Sequence, residues 1–194
     1  MSTNSREAIL SAAKRAAQAH GYSGLNFRDL AAEVGIKSAS IHYHFPAKAD
    51  LGAAVARRYW QDTAATLDAM LAEDSDPAHS LNRYPEIFRQ SLEQGNRLCL
   101  CSFMAAEYDD LPESVMKEVQ TFADVNVTWL NKVLSLMGSV DADQIEPRAR
   151  AIFTAVAGAQ LIARSRSNIA LFDELIESYR IAGLFGVASR LIDP

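Results

Sequence analysis

Apolar residues recur at the spacing of an α-helix almost throughout this sequence, and no stretch of useful length alternates between apolar and polar residues as a strand does. Glycine, proline and short polar runs interrupt the pattern and delimit about nine helices. A chain with this pattern cannot bury its apolar residues in a sheet. The sequence therefore predicts an all-α protein.

Two of the predicted helices are very short. They cover about Phe27–Glu33 and Ser38–His44, and they are joined through Gly35. Asn26 is suited to cap the first, and Phe45-Pro46 ends the second, because the residue before a proline disfavours the helical conformation. Helices of about seven residues are unstable alone, so they must pack on each other and on a third helix. This arrangement predicts a helix-turn-helix.

Longer helices are predicted in the remainder of the chain. A pattern from Lys48 to about Glu73 is followed by others at about Ala78–Gln94, Leu98–Tyr108, Pro112–Met137, Pro147–Ser165 and Leu171–Leu191. The last two are rich in small residues, which let helices approach closely, and they could build a four-helix interface with a second copy. The alternative is that these faces pack within one chain.

The charge of the chain is unevenly distributed. The net charge is −5 at pH 7, but residues 1–60 carry eight Lys and Arg against four acidic residues, whereas the remainder carries eleven against twenty. A cationic segment fused to an anionic body is typical of a phosphate-binding head on a body that nucleic acid repels. Ordinary surface charge that happens to be uneven is the alternative.

Several function classes find no support in the sequence. No run approaches the roughly 20 apolar residues that span a membrane, and the N-terminus lacks the basic and apolar regions of a signal peptide. We therefore expect a cytoplasmic chain with no membrane partner. Cys99, Cys101 and the four histidines lack the spacings of a metal site. Without a nucleophile elbow or a phosphate-binding glycine loop, the sequence predicts neither catalytic residues nor a cofactor, and hence no enzyme.

The segment from Gly35 to Leu51 can present one face to a core and another to solvent. The apolar positions are Ile36, Ile41, Phe45 and Leu51. The outward residues are small, cationic or hydrogen-bonding, and none of them is acidic: Lys37, Ser38, Ser40, His42, Tyr43, His44 and Lys48. Such a surface on a short helix fits the major groove of double-stranded DNA, where side chains reach base edges while cations and hydroxyls bind phosphates.

The run Ile41-His42-Tyr43-His44-Phe45-Pro46-Ala47-Lys48-Ala49-Asp50-Leu51 resembles the N-terminal signature of the tetracycline-repressor (TetR) family. The resemblance covers roughly residues 5–55. It implies a helix-turn-helix DNA-binding domain over residues 1–50 and a ligand-sensing and dimerisation domain over residues 51–194. The implied fold is all-α, with an N-terminal three-helix domain and a C-terminal helical bundle that dimerises through a four-helix interface.

The resemblance also implies a set of DNA-contacting residues on and around the recognition helix. Asn26 would cap its helix and present the helix amides to phosphate, and Arg28 would contact the backbone or a base edge. Tyr43, His44 and Lys48 would approach phosphates. The full implied set is Asn26, Arg28, Lys37, Ser38, Ser40, His42, Tyr43, His44 and Lys48.

Two positions depart from the pattern of the family. Many members carry tyrosine where this chain has His42, which leaves the base contacts open. Many carry serine or another capping residue where this chain has Ala47, so a helix cap worth about 1 kcal/mol is missing.

The middle of the chain is rich in aromatic and sulfur-bearing residues, which line a ligand pocket in some proteins and form plain core in others. The candidate ligand-binding residues are Cys99, Phe103, Phe122 and Trp129. The segment 99–108 is loosely similar to the sensor region of a TetR subset that responds to electrophiles or oxidants. Such a response requires a lowered thiol pKa, which Arg97 and a helix N-terminus near Leu98 could supply. Cys99 is favoured over Cys101 for this role. The alternative is that both thiols act as small buried hydrophobes.

Taken together, the residues and the resemblance predict a homodimeric transcriptional regulator, and specifically a repressor. It would bind a palindromic operator in double-stranded DNA and be released by a small-molecule effector, either an electrophile or another small organic compound. Two other classes stay open: a helical adaptor that does not bind DNA, and a thiol-dependent enzyme using Cys99 or His79.

Overall fold

The structure is a computed structural model, and it describes residues 2–186. Over these residues the chain folds into ten α-helices and two short 3-10 turns, with no strand. The helices are α1 (Ser2–His20), α2 (Phe27–Val34), α3 (Ser38–His44), α4 (Lys48–Glu73), α5 (Pro77–Arg83), α6 (Glu86–Glu93), α7 (Leu100–Ala105), α8 (Glu113–Met137), α9 (Ile145–Ser165) and α10 (Ile169–Ile181). The predicted all-α class is confirmed.

The helix predicted at Ala78–Gln94 is divided into α5 and α6. Pro85 lies at the division, and its nitrogen carries no hydrogen to donate into the helical ladder. The ladder restarts beyond it, where the backbone nitrogens of Phe88 and Arg89 donate to the carbonyl of Pro85 at 3.1 and 3.0 Å. The last predicted helix also differs, because α10 ends at Ile181; its predicted end at Leu191 lies outside the described residues.

The chain divides into two compact units. The first contains the described residues up to Asp62 together with Cys99–Phe122, and the second contains Thr63–Leu98 together with the described residues from Ala123 onward. These units are defined by packing alone. The assignment of DNA binding to residues 1–50 and of sensing to residues 51–194 therefore remains a prediction about function.

The core of the first unit joins α1, α2 and α3. Ile9 of α1, Leu30 of α2 and Ile41 of α3 are each at most 1% exposed, and Phe45 and Leu51 are buried beside them. Neither α2 nor α3 is long enough to be stable alone, so this shared core fixes the angle between them. It thereby holds the outward face of α3 in a single orientation.

The second unit is built around an aromatic cluster. Tyr84 is fully buried and stacks on Trp129 with ring centroids 5.7 Å apart, while its hydroxyl donates to Oδ1 of Asn126 at 2.9 Å. Nε1 of Trp129 donates to the carbonyl of Leu67 at 2.9 Å, so both buried polar groups have partners. In the same unit, Arg148 donates to the carbonyls of Leu184 and Gly186 and anchors the chain beyond α10.

No helix among the described residues is long and apolar enough to cross a membrane.

Candidate nucleic-acid interface

The turn that joins α2 to α3 is fixed by local hydrogen bonds. Oδ1 of Asn26 accepts from the backbone nitrogens of Arg28 and Asp29 at 2.9 and 3.3 Å, so Asn26 caps α2 as predicted. Gly35 ends α2 with φ 74°, a left-handed conformation that favours glycine. Its nitrogen donates back to the carbonyls of Ala31 and Ala32, and the chain then enters α3 through Lys37.

The two faces of α3 differ as the sequence predicted. Ile41 and Phe45 are buried, whereas the side chain of Tyr43 is 80% exposed. Lys37 and His42 are also exposed. The other four residues of the outward set are half-buried: Ser38, Ser40, His44 and Lys48. The outward face of α3 is thus available to a partner and carries hydroxyls, imidazoles and a lysine.

The two histidines of α3 are partly held by the protein. The ring of His42 packs edge-on against Phe27, with centroids 4.7 Å apart, and its Nδ1 lies 3.5 Å from the carbonyl oxygen of Pro46. The ring of His44 lies 5.2 Å from that of Tyr43 and is half-buried. His42 therefore has contacts within the protein at its ring and at Nδ1 although it is exposed, and the ring of His44 packs beside that of Tyr43.

Lys48 is positioned by the turn that precedes α2. Its Nζ donates to the carbonyl of Ser23 at 3.2 Å and lies 4.6 Å from the ring centroid of Tyr22. A lysine ammonium has three donors, so two remain for an anion. The carboxylate of Glu107 in turn accepts from the nitrogen of Tyr22 at 2.6 Å and fixes this turn.

Sequence reasoning missed the part played by Tyr22, Ser23 and Glu107. Glu107 lies 85 positions from Tyr22, and nothing local in the sequence indicates that the two are in contact. The one available signal is Gly21, whose φ is 68° and whose added Cβ would clash with the Glu107 carboxylate. A glycine at that point could have suggested a close approach, but not the identity of the neighbour.

Two acidic residues of α2 and α4 are engaged within the protein. Glu33 accepts from Arg15 at 2.7 Å, and Oδ2 of Asp50 accepts from the backbone nitrogen of Ala47 at 2.9 Å. Arg28 is exposed, and its guanidinium has no partner in the part of the chain that the structure describes. The guanidinium of Arg28 is therefore available to a partner, while the carboxylates of Glu33 and Asp50 are engaged in contacts with the protein.

The start of α4 has half of a capping box. Ala47 is the N-cap, since its carbonyl accepts from the nitrogen of Leu51 at 3.3 Å, and Asp50 three residues later bonds back to the nitrogen of Ala47. The missing half is a side-chain acceptor at position 47. The lost cap expected from the sequence is thus only partly compensated.

We expect Ala47→Ser to stabilise the protein by about 1 kcal/mol, because the serine hydroxyl would accept from an amide of the first turn of α4 and complete the reciprocal pair. Thermal unfolding measures the change. Ala65→Ser, at an exposed position inside α4, is the matched control and should destabilise slightly. An equal response at both positions would mean that Asp50 already satisfies this helix end.

The candidate ligand-binding residues fall in different units. Cys99, Phe103 and Phe122 belong to the first unit and Trp129 to the second. Phe122 is buried and packs on Tyr59 with centroids 5.6 Å apart, Phe103 is half-buried, and Trp129 belongs to the aromatic cluster described above. Trp129 also lines a small cavity of about 280 Å³, together with Leu67, between α4 and α8.

Of the two alternatives for the thiols, the structure supports burial, because the pKa of Cys99 is raised and not lowered. Cys99 and Cys101 are each 1% exposed, and burial raises the pKa of both thiols because a thiolate is poorly solvated there. Hydrogen bonds from Ser102 and Tyr59 favour the Cys99 thiolate but do not outweigh burial. Cys99 does precede the N-terminus of α7, yet that short helix does not reverse the direction of the shift.

Both thiols should therefore react with iodoacetamide at pH 7 at least about tenfold more slowly in the folded protein than in denaturant. The measurement is mass spectrometry of the alkylated chain over time, with Cys101→Ala used to isolate Cys99. Folded and denatured protein alkylated at equal rates would show that Cys99 is accessible and ionised, contrary to its burial.

The comparisons with known proteins agree with this geometry. Residues 9–55 match the model of the bacterial regulatory proteins, tetR family. A TetR-family transcriptional regulator from Agrobacterium tumefaciens is 28% identical, with a TM-score of 0.85 over 92% of this chain and 96% of that one. A TetR transcriptional regulator from Legionella pneumophila is 29% identical, with a TM-score of 0.85 over 91% and 96%.

More distant structures share the fold alone. The transcriptional regulator FadR from Bacillus subtilis, determined in complex with stearoyl-CoA, is 14% identical, with a TM-score of 0.69 over 89% of this chain and 96% of that one. No curated protein matches the sequence.

A helix-turn-helix with an exposed, hydrogen-bonding recognition helix, carried on an all-helical chain, defines a DNA-binding transcriptional regulator. The family match at the N-terminus and the similarity to regulators over nearly the whole chain narrow this class. Residues 9–55 match the TetR family model, and the fold of nearly the whole chain is that of the TetR-family regulators described above.

Proposed function

We propose that this protein is a repressor that binds a palindromic operator as a homodimer and is released by a small organic effector. The observation that carries the DNA-binding part is the outward face of α3, where Tyr43 is 80% exposed although large aromatic side chains are mostly buried in folded proteins. A tyrosine held there by a rigid core and flanked by hydroxyls, imidazole and lysine is suited to the major groove.

The surrounding residues divide between phosphate and base contacts. Lys48, with two free donors, and the amides at the start of α2 capped by Asn26 suit phosphate. Arg28 and His42 suit base edges or the backbone, and Lys37 adds charge at the start of α3. Such contacts, together with the hydroxyl of Tyr43 at a phosphate, position the recognition helix, while the side chains of Ser38 and Ser40 read the groove.

Exposed apolar side chains on α9 and α10 support dimerisation. Leu161 and Ile162 on α9 are 53% and 48% exposed, and Ile181 at the end of α10 is 75% exposed. Nothing lies within 4 Å of the position that a Cβ would take at Gly158, so another helix can approach α9 there. A second copy related by a two-fold axis would cover these residues and match a palindromic site.

Ile181→Glu should convert the protein from dimer to monomer in sedimentation experiments, because the new carboxylate would lie unpaired in an apolar interface. Leu136→Glu is the matched control, since Leu136 on α8 is 58% exposed and lies on neither helix of the proposed interface. A dimer that survives Ile181→Glu but dissociates with Leu136→Glu would place the interface elsewhere.

The effector would act by shifting the equilibrium between the DNA-binding conformer and a second conformer of the protein. A ligand that binds one conformer more tightly than the DNA-binding conformer weakens operator affinity by that difference, and a ligand without such a preference has no effect. The distant relative FadR was determined with stearoyl-CoA, which supports a small-molecule ligand in this fold without identifying it here.

Selection of binding sequences from random duplex DNA tests the proposal. It should enrich a palindrome, and titration of that duplex should saturate at two chains per site, with strong salt dependence. Enrichment of a sequence without two-fold symmetry, or saturation at one chain, would overturn the dimeric part. No enrichment and no binding at low salt would favour the adaptor alternative.

A further inference from the structure

The turn between α1 and α2 is held by a carboxylate from a distant part of the chain. Glu107 lies two residues beyond α7, and its side chain is half-buried. Oε2 accepts from the backbone nitrogen of Tyr22 at 2.6 Å, and Oε1 accepts from that of Ser23 at 3.4 Å. Hydrogen bonds from backbone amides to a carboxylate are stronger than those between neutral groups. Glu107 therefore fixes two successive residues of the turn.

Gly21 leaves the space that this carboxylate occupies. Its φ is 68°, and a Cβ added at this position would overlap the carboxylate of Glu107. The nitrogen of Gly21 also closes the end of α1 by donating to the carbonyl of Ala17 at 2.8 Å. The backbone of the turn thus has the shape that admits the Glu107 carboxylate to the two amides.

The same two residues hold the ammonium group of Lys48. Its Nζ donates to the carbonyl of Ser23 at 3.2 Å and lies 4.6 Å from the ring centroid of Tyr22. The ring of Tyr22 is itself held against α4, because a Cβ added at Gly52, one turn beyond Lys48, would lie 2.7 Å from Cε2 of that ring. Glu107 is thereby linked to Lys48 through Tyr22 and Ser23.

A lysine side chain loses much rotational freedom when its ammonium is held by a phosphate, and that loss weakens binding. A lysine that is already held in the free protein loses less. We propose that Glu107 is a positioning residue for DNA binding: by fixing Tyr22 and Ser23, it holds the Lys48 ammonium where it meets a phosphate. This inference rests on the proposed function, in which Lys48 contacts DNA.

The sign of the effect of Glu107→Ala on DNA binding distinguishes positioning from charge. By charge alone, removal of a carboxylate should tighten binding, because DNA is anionic. Positioning predicts the opposite: Glu107→Ala should bind the palindromic duplex obtained by selection about fivefold more weakly, which corresponds to ordering one long side chain on binding. Asp109→Ala, at an exposed carboxylate two residues further on, is the charge-matched control and should not weaken binding.

Two further variants separate the charge of Glu107 from its contacts. Glu107→Gln removes the charge but keeps an acceptor for the amide of Tyr22, so it should retain most of the affinity. Glu107→Asp keeps the charge but withdraws the carboxylate by one methylene, so it should bind nearly as weakly as Glu107→Ala. If Glu107→Ala does not fold, Glu107→Asp supplies the comparison with the unsubstituted protein.

A double-mutant cycle tests whether Glu107 acts through Lys48. Lys48→Met keeps much of the apolar stem over Tyr22 and removes the ammonium, so it should weaken DNA binding about tenfold. Adding Glu107→Ala to Lys48→Met should cause no further loss, because the group to be positioned is already absent. A general disturbance of the fold would instead weaken binding in both backgrounds.

Hydrogen exchange of the free protein measures the contact itself. The amides of Tyr22 and Ser23 should exchange several-fold faster in Glu107→Ala than in the unsubstituted protein, and Asp109→Ala should leave their exchange unchanged. Equal exchange in Glu107→Ala would mean that the carboxylate does not hold the turn, and it would overturn the inference without any measurement on DNA.

The results with DNA separate this inference from the proposed function. Normal binding by the unsubstituted protein, with equal or tighter binding by Glu107→Ala and Glu107→Asp, would overturn the positioning role alone. A fivefold loss that persists in the Lys48→Met background would also overturn it, because Glu107 would then act by another route. Failure of the unsubstituted protein to bind any duplex at low salt would overturn the proposed function, and this inference with it.

Discussion

The double variant Arg28→Ala/Tyr43→Ala should bind operator DNA about a hundredfold more weakly than the unsubstituted protein, at unchanged thermal stability. Each side chain is exposed, and neither contributes to the core of the first unit, so the fold has little reason to respond. Loss of one good DNA contact costs about 1 to 3 kcal/mol, and two losses near the lower end of that range correspond to roughly a hundredfold in affinity.

The salt dependence of DNA binding distinguishes the contribution of the Arg28 charge from that of the uncharged Tyr43 side chain. Removal of Arg28 takes away one cation near the DNA, so the slope of log affinity against log salt should fall by about 1. Tyr43→Ala alone should weaken binding with little change in slope. Arg166→Ala is the charge-matched control in the second unit, and it should leave affinity for short duplexes unchanged. If both interface variants bind as tightly as the control, the outward face of α3 is not the DNA-binding surface.

Glu118→Gln should lower the free energy of unfolding by about 2 kcal/mol at neutral pH. Glu118 lies on α8 with its side chain 8% exposed, and its two oxygens accept from Nη2 of Arg57 at 2.5 Å and from Nε1 of Trp60 at 2.8 Å. Glutamine cannot accept with both ends, so one of these donors would lose its partner. The Arg57 side chain is 56% exposed, and water would partly compensate for its loss.

The effect of Glu118 should depend on pH with a definite sign. Burial alone would raise its pKa, but the hydrogen bonds from Arg57 and Trp60 and the charge of Arg57 outweigh burial, and the pKa lies below its ordinary value. A carboxyl group whose pKa is lowered by folding stabilises the folded state at neutral pH, and that stabilisation is lost as the pH falls through the lowered pKa.

Urea unfolding of the two proteins should therefore give a difference at pH 7 that shrinks towards zero as the pH falls through the lowered pKa of Glu118. Glu174→Gln, at an exposed glutamate on α10, is the matched control and should change stability by no more than about 0.5 kcal/mol. A difference that persists unchanged in acid would mean that shape, and not the charge of Glu118, accounts for the loss.

Local sequence signals predicted the DNA-binding segment well because each of them acts over a few residues. Asn26 caps the helix that it directly precedes, Gly35 ends that helix through its own backbone conformation, and Ile41 is buried because the period of α3 directs it inward. The bounds predicted for α3 and α4 match the structure for the same reason. Interactions of this range can be read from a single sequence.

Properties that depend on distant residues could not be predicted in this way. The sequence left open whether a neighbouring helix end activates Cys99 or burial keeps both thiols inert, and burial within the first unit decides the direction of their pKa. The anchoring of Tyr22 by Glu107 and of Arg57 by Glu118 likewise joins segments far apart in the chain. Side-chain burial depends on the packing of the whole unit, so it cannot be predicted from the helical period alone.

The central claim is that this chain recognises a specific DNA sequence. Gel mobility shift with the DNA immediately upstream of its own coding region tests it most directly, because regulators of this kind commonly control themselves or a neighbouring gene. We expect a saturable shift that resists excess nonspecific competitor DNA and is lost in Arg28→Ala/Tyr43→Ala. Absence of any shift at low salt, even with random duplex DNA, would contradict the claim and favour a helical adaptor that does not bind DNA.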